Sequence, residues 1–332
     1  MRQQRSILIA LQLGWVVLAS ACATNDRARE EFGALFAPAL QAATPAQIAD
    51  LQAVLGRALF WDSRTSVNGR IACASCHESA DWSADRRRFS IDARDKPTSR
   101  HAQPIFNATA QTRLRWTGDR ADGAAQAEGS MTGSMGFPDK AAALAKLKEL
   151  GYEAAFKGAF PGDAQPLSAA NYGRAIQAYE RTLVTPAPFD RFLAGQDDAL
   201  SPPQKQGLRA FVANGCVACH NGPLLGGQQF QKFGVTKDYW NETGSERIDE
   251  GRFLNTGNAA DKYVFRVAML RNVAKTAPYF HDGSVATLDG AVRVMARVQL
   301  GRSLPDDEVR AIVAFLESLT GEVPAHYAAP AR

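Results

Sequence analysis

Apolar residues recur at helical spacing along most of the chain, and no segment shows a convincing strand alternation. In TPAQIADLQAVLGRALF (residues 44–60), Thr44 stands as an N-cap and Pro45 at the first helical position. Ile48, Leu51, Leu55 and Leu59 then fall along one face. Similar patterns predict helices from Asp139 to Leu150, Ser168 to Leu183, Pro203 to Val212, Thr287 to Val298 and Pro305 to Leu319. Between them run two long polar stretches, 81–107 and 222–258, charged or rich in glycine, which read as irregular loops. VTPAPFDRFLAG (184–195), with Pro186 and Pro188, reads as a linker. The pattern predicts an all-α protein.

The N-terminus follows a different pattern. MRQQRSILIALQLGWVVLASACA carries Arg2 and Arg5, then an apolar run from Ile7 to Ala19 broken by Gln12, then small residues. The run is shorter than the ~20 residues a spanning helix needs and reads as an export signal over residues 1–22. LASAC fits a lipoprotein cleavage site with Cys22 lipidated, and Ala21-Cys22-Ala23 also suits ordinary signal peptidase. Removing the signal deletes two arginines and no acid, so the formal charge falls from +4 to +2. That is too small a surplus to imply nucleic acid.

The chemistry lies in the cysteines. IACASCHES (71–79) and NGCVACHNG (214–222) each contain Cys-x-x-Cys-His, in a chain of 332 residues with five cysteines and five histidines. Chance gives about 10⁻³ copies of such a pattern in a chain this long. Two thiols three residues apart reach the two vinyl groups on one edge of a porphyrin, and the next imidazole meets the iron. Each motif therefore specifies one covalently attached haem c, held by Cys73, Cys76 and His77 and by Cys216, Cys219 and His220. A zinc site could use the four thiols, but it leaves the histidine after each pair unexplained. Export agrees with this reading, because such haems are attached outside the cytoplasm. Two motifs in about 310 mature residues predict two cytochrome c-like helical domains, 23–185 and 186–332, each wrapped around one haem that replaces much of an apolar core.

Three further stretches carry a resemblance. LGRALFWDSRTS (55–66), WTGDRAD (116–122) and YVFRVAMLRNVAKTAPYFHDGSVATLDGAVRVMARVQLG (263–301) are similar to the bacterial di-haem cytochrome c peroxidases and to their MauG-type relatives. The resemblance covers nearly the whole mature chain. It implies a high-potential electron-receiving haem in the C-terminal half and a peroxidatic haem in the N-terminal half. It places the sixth ligand of the second iron at Met295 in VMARVQLG, with Met269 as the other methionine of suitable chemistry. MauG-type enzymes carry a tyrosine there, so methionine favours the peroxidases.

Around the first haem, Trp116 matches an aromatic between the two haems, and Gln126 matches a distal-pocket glutamine. Ala93 stands where many relatives carry a histidine that blocks the resting iron, which predicts an open site. Ser134, or Gly136 without a gap, stands where the family has its catalytic glutamate, leaving Glu128 or Asp139 as substitute acids. The family's calcium site is matched by Thr-Ala-Pro at 276–278 but has His101 in place of asparagine, which puts calcium in doubt. His281 is expected to hydrogen-bond near the second haem, His326 to be solvated, and the arginines of DRRRF (85–89) to be a solvated charge run.

The implied activity is periplasmic reduction of hydrogen peroxide, with electrons from a small cytochrome or cupredoxin. A lipid anchor and a homodimer are further expectations. Two alternatives stay open: a MauG-like oxidase of a protein or organic substrate, and a pure electron carrier with Met131 or Met135 on the first iron.

Overall fold

The computed structural model describes residues 27–331, so the export signal and Cys22 lie outside the described residues. Thirteen α-helices are present among them. They are α1 (Ala28–Phe32), α2 (Pro45–Ile48), α3 (Leu51–Trp61), α4 (Gly123–Ser130), α5 (Lys140–Glu149), α6 (Glu153–Ala159), α7 (Ala169–Arg181), α8 (Pro188–Leu193), α9 (Pro202–Ala213), α10 (Tyr239–Thr243), α11 (Phe253–Thr256), α12 (Leu288–Leu300) and α13 (Asp306–Glu317). No described helix is long and apolar enough to cross a membrane. Contrary to the absence of strand signals, Phe230–Lys232 (β1) pairs antiparallel with Val264–Arg266 (β2), in the register Phe230 to Arg266 and Lys232 to Val264. Three residues per strand are too few to write an alternation into the sequence.

Local chemistry explains the helix ends. Thr44 forms a capping box with Gln47, and Asp139 and Ser168 cap α5 and α7 through the backbone N–H groups of Ala142 and Asn171. The helix predicted from Thr44 onward is in fact two. The Asp50 carboxylate accepts from the N–H groups of Gln52 and Ala53 at 2.9 and 3.2 Å and starts α3 afresh. The break turns Leu51 outward, leaving it 62% exposed, while Leu55, Gly56, Leu59 and Phe60 are buried.

Two helix crossings organise the molecule. α3 packs on α7, and a Cβ built at Gly56 would stand 1.9 Å from the Ala175 carbonyl oxygen. α9 packs on α13, and a Cβ at Gly207 would stand 1.8 Å from the Ala311 carbonyl oxygen. Only glycine allows either approach. The first core gathers Leu55, Phe60, Phe106, Tyr172, Ile176 and Tyr179, and the second gathers Phe189, Phe211, Ile312, Phe315 and Leu319.

Both ends of the described chain cross over. Ala28 and Phe36 pack into the second core, and Tyr327 packs into the first.

The segment read as a linker is a packed strap. Pro188–Leu193 is helical, with Phe189, Asp190 and Phe192 buried. Asp190 accepts both guanidinium N–H groups of Arg271 at 2.7 and 3.0 Å, and also the backbone N–H groups of Leu40 and Ala187 at 2.6 and 2.7 Å. Removing one partner of such a buried pair costs about 3–5 kcal/mol, because the other charge is left stranded. Pro188 therefore starts a helix here, in the position where Pro is tolerated, with Pro186 just before its N-cap Ala187.

Candidate haem sites

Each Cys-x-x-Cys segment folds as a single 3₁₀ turn, Cys73–Ser75 in one and Cys216–Ala218 in the other. The histidines that follow are held alike. His77 Nδ1 lies 3.0 Å from the Ser83 carbonyl oxygen and His220 Nδ1 lies 3.1 Å from that of Leu225, so each ring donates there and keeps Nε2 as an acceptor. Burial holds both imidazoles below their ordinary pKa, which favours the neutral form a metal needs. Phe60 and Phe211, each four residues after a crossing glycine, pack against these rings at 6.5 and 6.4 Å between centroids. Burial pushes the Cys73 thiol up to about 12 and the Cys216 thiol to about 11, so neither is poised as a reactive thiolate. Among the described residues no three His, Cys, Asp or Glu side chains converge as a metal-binding group, the four thiols included.

The second motif opens onto a cavity of about 250 Å³, lined by Cys216, Cys219, His220, Met269, Met295 and apolar residues of α12 and α13. Met295, on α12, and Met269, in the loop after β2, both reach it, so the cavity alone does not choose between them. The wall is mostly carbon, the lining that a flat apolar macrocycle requires. Two features fit a large polar-edged group: His281 Nε2 is buried with no hydrogen-bond partner, and Gly226 lets backbone approach His220, since a Cβ there would lie 3.2 Å from its Nδ1. The expected hydrogen bond of His281 is thus not made within the protein.

Trp116 lines the same cavity, donates from Nε1 to the His101 carbonyl oxygen at 2.8 Å, and meets His281 edge-on. The loop carrying it therefore belongs to the wall of the second site.

Around the first motif the surroundings are different. Cys73 and Trp82 pack on a core containing Met131, Met135, Tyr172 and Tyr327, and the Tyr327 hydroxyl donates to the His77 carbonyl oxygen. Gln126 sits half-buried on α4. Glu128, on the same helix, pairs with Lys140 in a surface recess with Arg113, Asp119 and Arg120, and that recess includes no residue of the first motif. Asp139 is committed to capping α5. Ala93 is buried, its N–H donating to the Ser134 carbonyl oxygen at 2.9 Å, so these two positions touch each other.

His326 is not solvated as expected. Its Nε2 lies 2.9 Å from the Thr182 hydroxyl, because the C-terminal segment packs on the first half. The DRRRF arginines do form a charged surface run. Arg86 pairs with Asp81, Arg87 with Asp85 at 2.9 Å, and Arg88 with Glu246 at 3.3 Å. His101 is buried with Nδ1 on the Arg87 carbonyl oxygen at 3.0 Å, and an imidazole is not the oxygen ligand that calcium prefers.

Two buried charges escaped the sequence reading. Glu180 on α7 is buried, and that burial pushes its carboxyl up to about 8, beside the core that takes in Cys73. Its signal was present, since it occupies an apolar stripe with Ile176, Tyr179 and Leu183. Arg266, a lone cation in YVFRVAML, is 2% exposed on the cavity wall.

Comparison with known proteins agrees with this arrangement. Residues 50–198 match the family model for di-haem cytochrome c peroxidase. The cytochrome c551 peroxidase of Pseudomonas aeruginosa is 40% identical over 324 residues, covering 95% of this chain and 93% of that one. That of Nitrosomonas europaea is 39% identical over 288 residues, 86% of this chain and 84% of the other. The crystal structure of a MauG-like protein associated with microbial copper homeostasis superposes with a TM-score of 0.75 at 26% identity, covering 89% of this chain and 97% of that one. The chain belongs to the di-haem cytochrome c peroxidase family and is an oxidoreductase of that type.

Proposed function

We propose that the protein is a periplasmic di-haem cytochrome c peroxidase with two haem-binding halves, 23–185 and 186–332, that exchange their terminal segments. It reduces hydrogen peroxide to water in the N-terminal half, with electrons arriving from a small cytochrome or cupredoxin through the C-terminal half. When bound, the two haems supply the redox chemistry, which consumes two electrons and two protons per peroxide and yields two waters. The observation that carries the reading is the pair of matched motifs, each with a half-buried imidazole whose Nδ1 is committed to a backbone carbonyl. His77 and His220 are the proximal ligands and the four cysteines the attachment points.

The protein's own residues divide the remaining work. Met295 offers a thioether to the second site, a ligand type that raises haem potential and suits an electron-receiving centre. Trp116 stands between the halves, its indole fixed by His101. Gln126 orients the oxidant in the first site. Ser134 cannot store a proton as a carboxylate can, and of its two substitutes Asp139 is used as a cap. Glu128, about one-third exposed and paired with Lys140, is the remaining candidate acid, and it would have to serve the first site from the surface. Calcium, if held near His101, would have to be bound by backbone oxygens around 276–278. A lipid on Cys22 would anchor the protein to a membrane, and dimerisation is consistent with the family.

The test is steady-state peroxide reduction by the two-haem protein with a reduced small cytochrome as donor. Activity is expected in the native chain and not in His77→Gly. Ser134→Glu should raise turnover towards the 10² to 10⁴-fold that an acid–base group typically supplies, and Glu128→Gln should lower it. A protein that carries two haems and consumes no peroxide would overturn the reading in favour of an electron carrier.

A further inference from the structure

Arg266 presents an energetic problem that the protein alone does not solve. Its side chain is buried, and every partner it has is neutral: Nε donates to the Arg115 carbonyl oxygen at 3.2 Å, one terminal nitrogen to the Gln103 side-chain oxygen at 3.0 Å, and the other to Gln111 and, at 3.5 Å, the Val267 carbonyl oxygen. Carbonyl dipoles solvate a guanidinium but leave its charge in place, and burial alone pushes its pKa down to about 10. The contrast with the other buried arginine is direct. Arg271 has Asp190 as a bidentate counter-ion, whereas among the described residues no acid pairs with Arg266. An uncompensated ion in a low-dielectric site costs several kcal/mol, so buried charges are retained where something pairs with them.

A second unsatisfied group lines the same cavity. His281 Nε2 is buried with no hydrogen bond, and its nearest carboxylate oxygen, on Asp249, is 4.0 Å away. Asp249 is in any case spent on Arg100, which it holds in two bonds of 2.7 and 2.9 Å. The His281 ring cannot swing to find another partner. It stacks on Phe265 at 4.5 Å and meets Tyr239 and Phe233 edge-on at 5.2 and 6.2 Å. Arg266 and His281 thus contribute a fixed cation and a fixed, unused imidazole nitrogen to one cavity that also contains Cys216, Cys219 and His220. A porphyrin attached at its vinyl edge to those thiols carries two carboxylates on its opposite edge, and these are the only anionic side groups it brings.

We propose that Arg266 and His281 form the carboxylate anchor of the second site, pairing with the propionates of the haem attached at Cys216 and Cys219. The inference rests on that haem being present. The anchor is also linked to the space between the halves. The Arg266 N–H donates to the Trp116 carbonyl oxygen at 2.8 Å, and the guanidinium is held by residues 103–115 of the first half. Pairing the propionate with a buried cation removes negative charge that would favour ferric iron, so the anchor raises the potential of the second haem. Arg266 and His281 are positioning residues, and their effect reads out in the potential.

The experiment is spectroelectrochemical titration of the intact two-haem protein, with haem content counted by mass and the propionate bending band followed by resonance Raman spectroscopy. Arg266→Gln should lower the midpoint of the second haem, so that its reduced-to-oxidised ratio at fixed potential falls about tenfold, the scale of one charge-assisted bond. The propionate band should move as well. Arg266→Lys, which keeps the charge, should recover most of the shift, and His281→Gln should give a smaller shift in the same direction. An Arg266→Gln protein that retains the first haem and loses the second also supports anchoring. A two-haem Arg266→Gln protein with native midpoint and native propionate band overturns it. If that variant yields no folded protein, His281→Gln decides by the same two readouts. A native protein with no haem at Cys216 would overturn the site reading itself, and the mass count identifies that outcome separately.

Discussion

Around His77 and around His220 the chain repeats one frame. A helix with a buried glycine crosses a second helix at backbone contact, a phenylalanine one turn later faces the imidazole, and a carbonyl five or six residues on fixes Nδ1. Even the next shell matches, with Phe60 against Tyr179 at 5.5 Å and Phe211 against Phe315 at 5.3 Å. The surroundings then diverge. Both sides have two methionines, but the His220 side sets Met269 and Met295 on a carbon-lined cavity with a buried cation, whereas the His77 side packs Met131 and Met135 into a core with phenols and a buried carboxyl. The frame makes a place for an imidazole-ligated group. What that group does is set by the residues around it, because axial ligand and buried charge govern potential and access.

The frame can be broken first. Gly56→Val and Gly207→Val each push a side chain into a backbone carbonyl of the crossing helix, and each is expected to destabilise the protein by about 3 kcal/mol or more. If the two crossings are equivalent, each variant should weaken chiefly its own half, read as haem loss from Cys73/Cys76 in one case and Cys216/Cys219 in the other. Denaturant melts with mass analysis check this, and loss from the opposite motif would break the equivalence.

The difference between the sites can be sharpened at Met295. Met295→His should abolish the sulfur-to-iron charge-transfer band and lower the second haem's potential, because imidazole donates more strongly to ferric iron than a thioether. Met269→Leu should leave the band in place. The reverse pattern would move the ligand to Met269.

A smaller effect separates the sites by pH. The Glu180 carboxyl titrates near 8 in the folded chain and near 4.5 as a free group, so between those values the native state binds the extra proton. Its contribution to stability is therefore complete below about pH 4.5 and is lost as pH rises through about 8, by up to a few kcal/mol. Denaturant melts across that window should show the decline in the native chain, and Glu180→Gln should flatten it. An unchanged slope in the variant would assign the pH dependence elsewhere.

The sequence reveals those features that local chemistry determines. Thr44, Asp139, Ser168 and Thr287 announce their helices because a cap is a short-range hydrogen bond, and the two motifs announce themselves because thiol spacing must match a porphyrin edge. Features settled by distant partners are less legible. Residues 184–195 read as a linker because Arg271, which fixes Asp190, lies 81 positions away. The β1–β2 pairing, the inward turn of His326 and the counter-ion problem of Arg266 are likewise set by tertiary contact. Glu180 was the one such feature with a local signal, an acid on an apolar stripe.

The two irons should differ in the resting protein, and one titration shows whether they do: cyanide added to the fully oxidised two-haem protein, followed by optical and electron paramagnetic resonance spectra. With Ala93 in place of a blocking side chain, the first haem is expected to be high-spin and to bind cyanide without prior reduction, while the second stays low-spin with its thioether band intact. A resting spectrum that is wholly low-spin and unresponsive to cyanide would contradict the account. It would point to Met131 or Met135 as a ligand of the first haem and to electron transfer alone as the function.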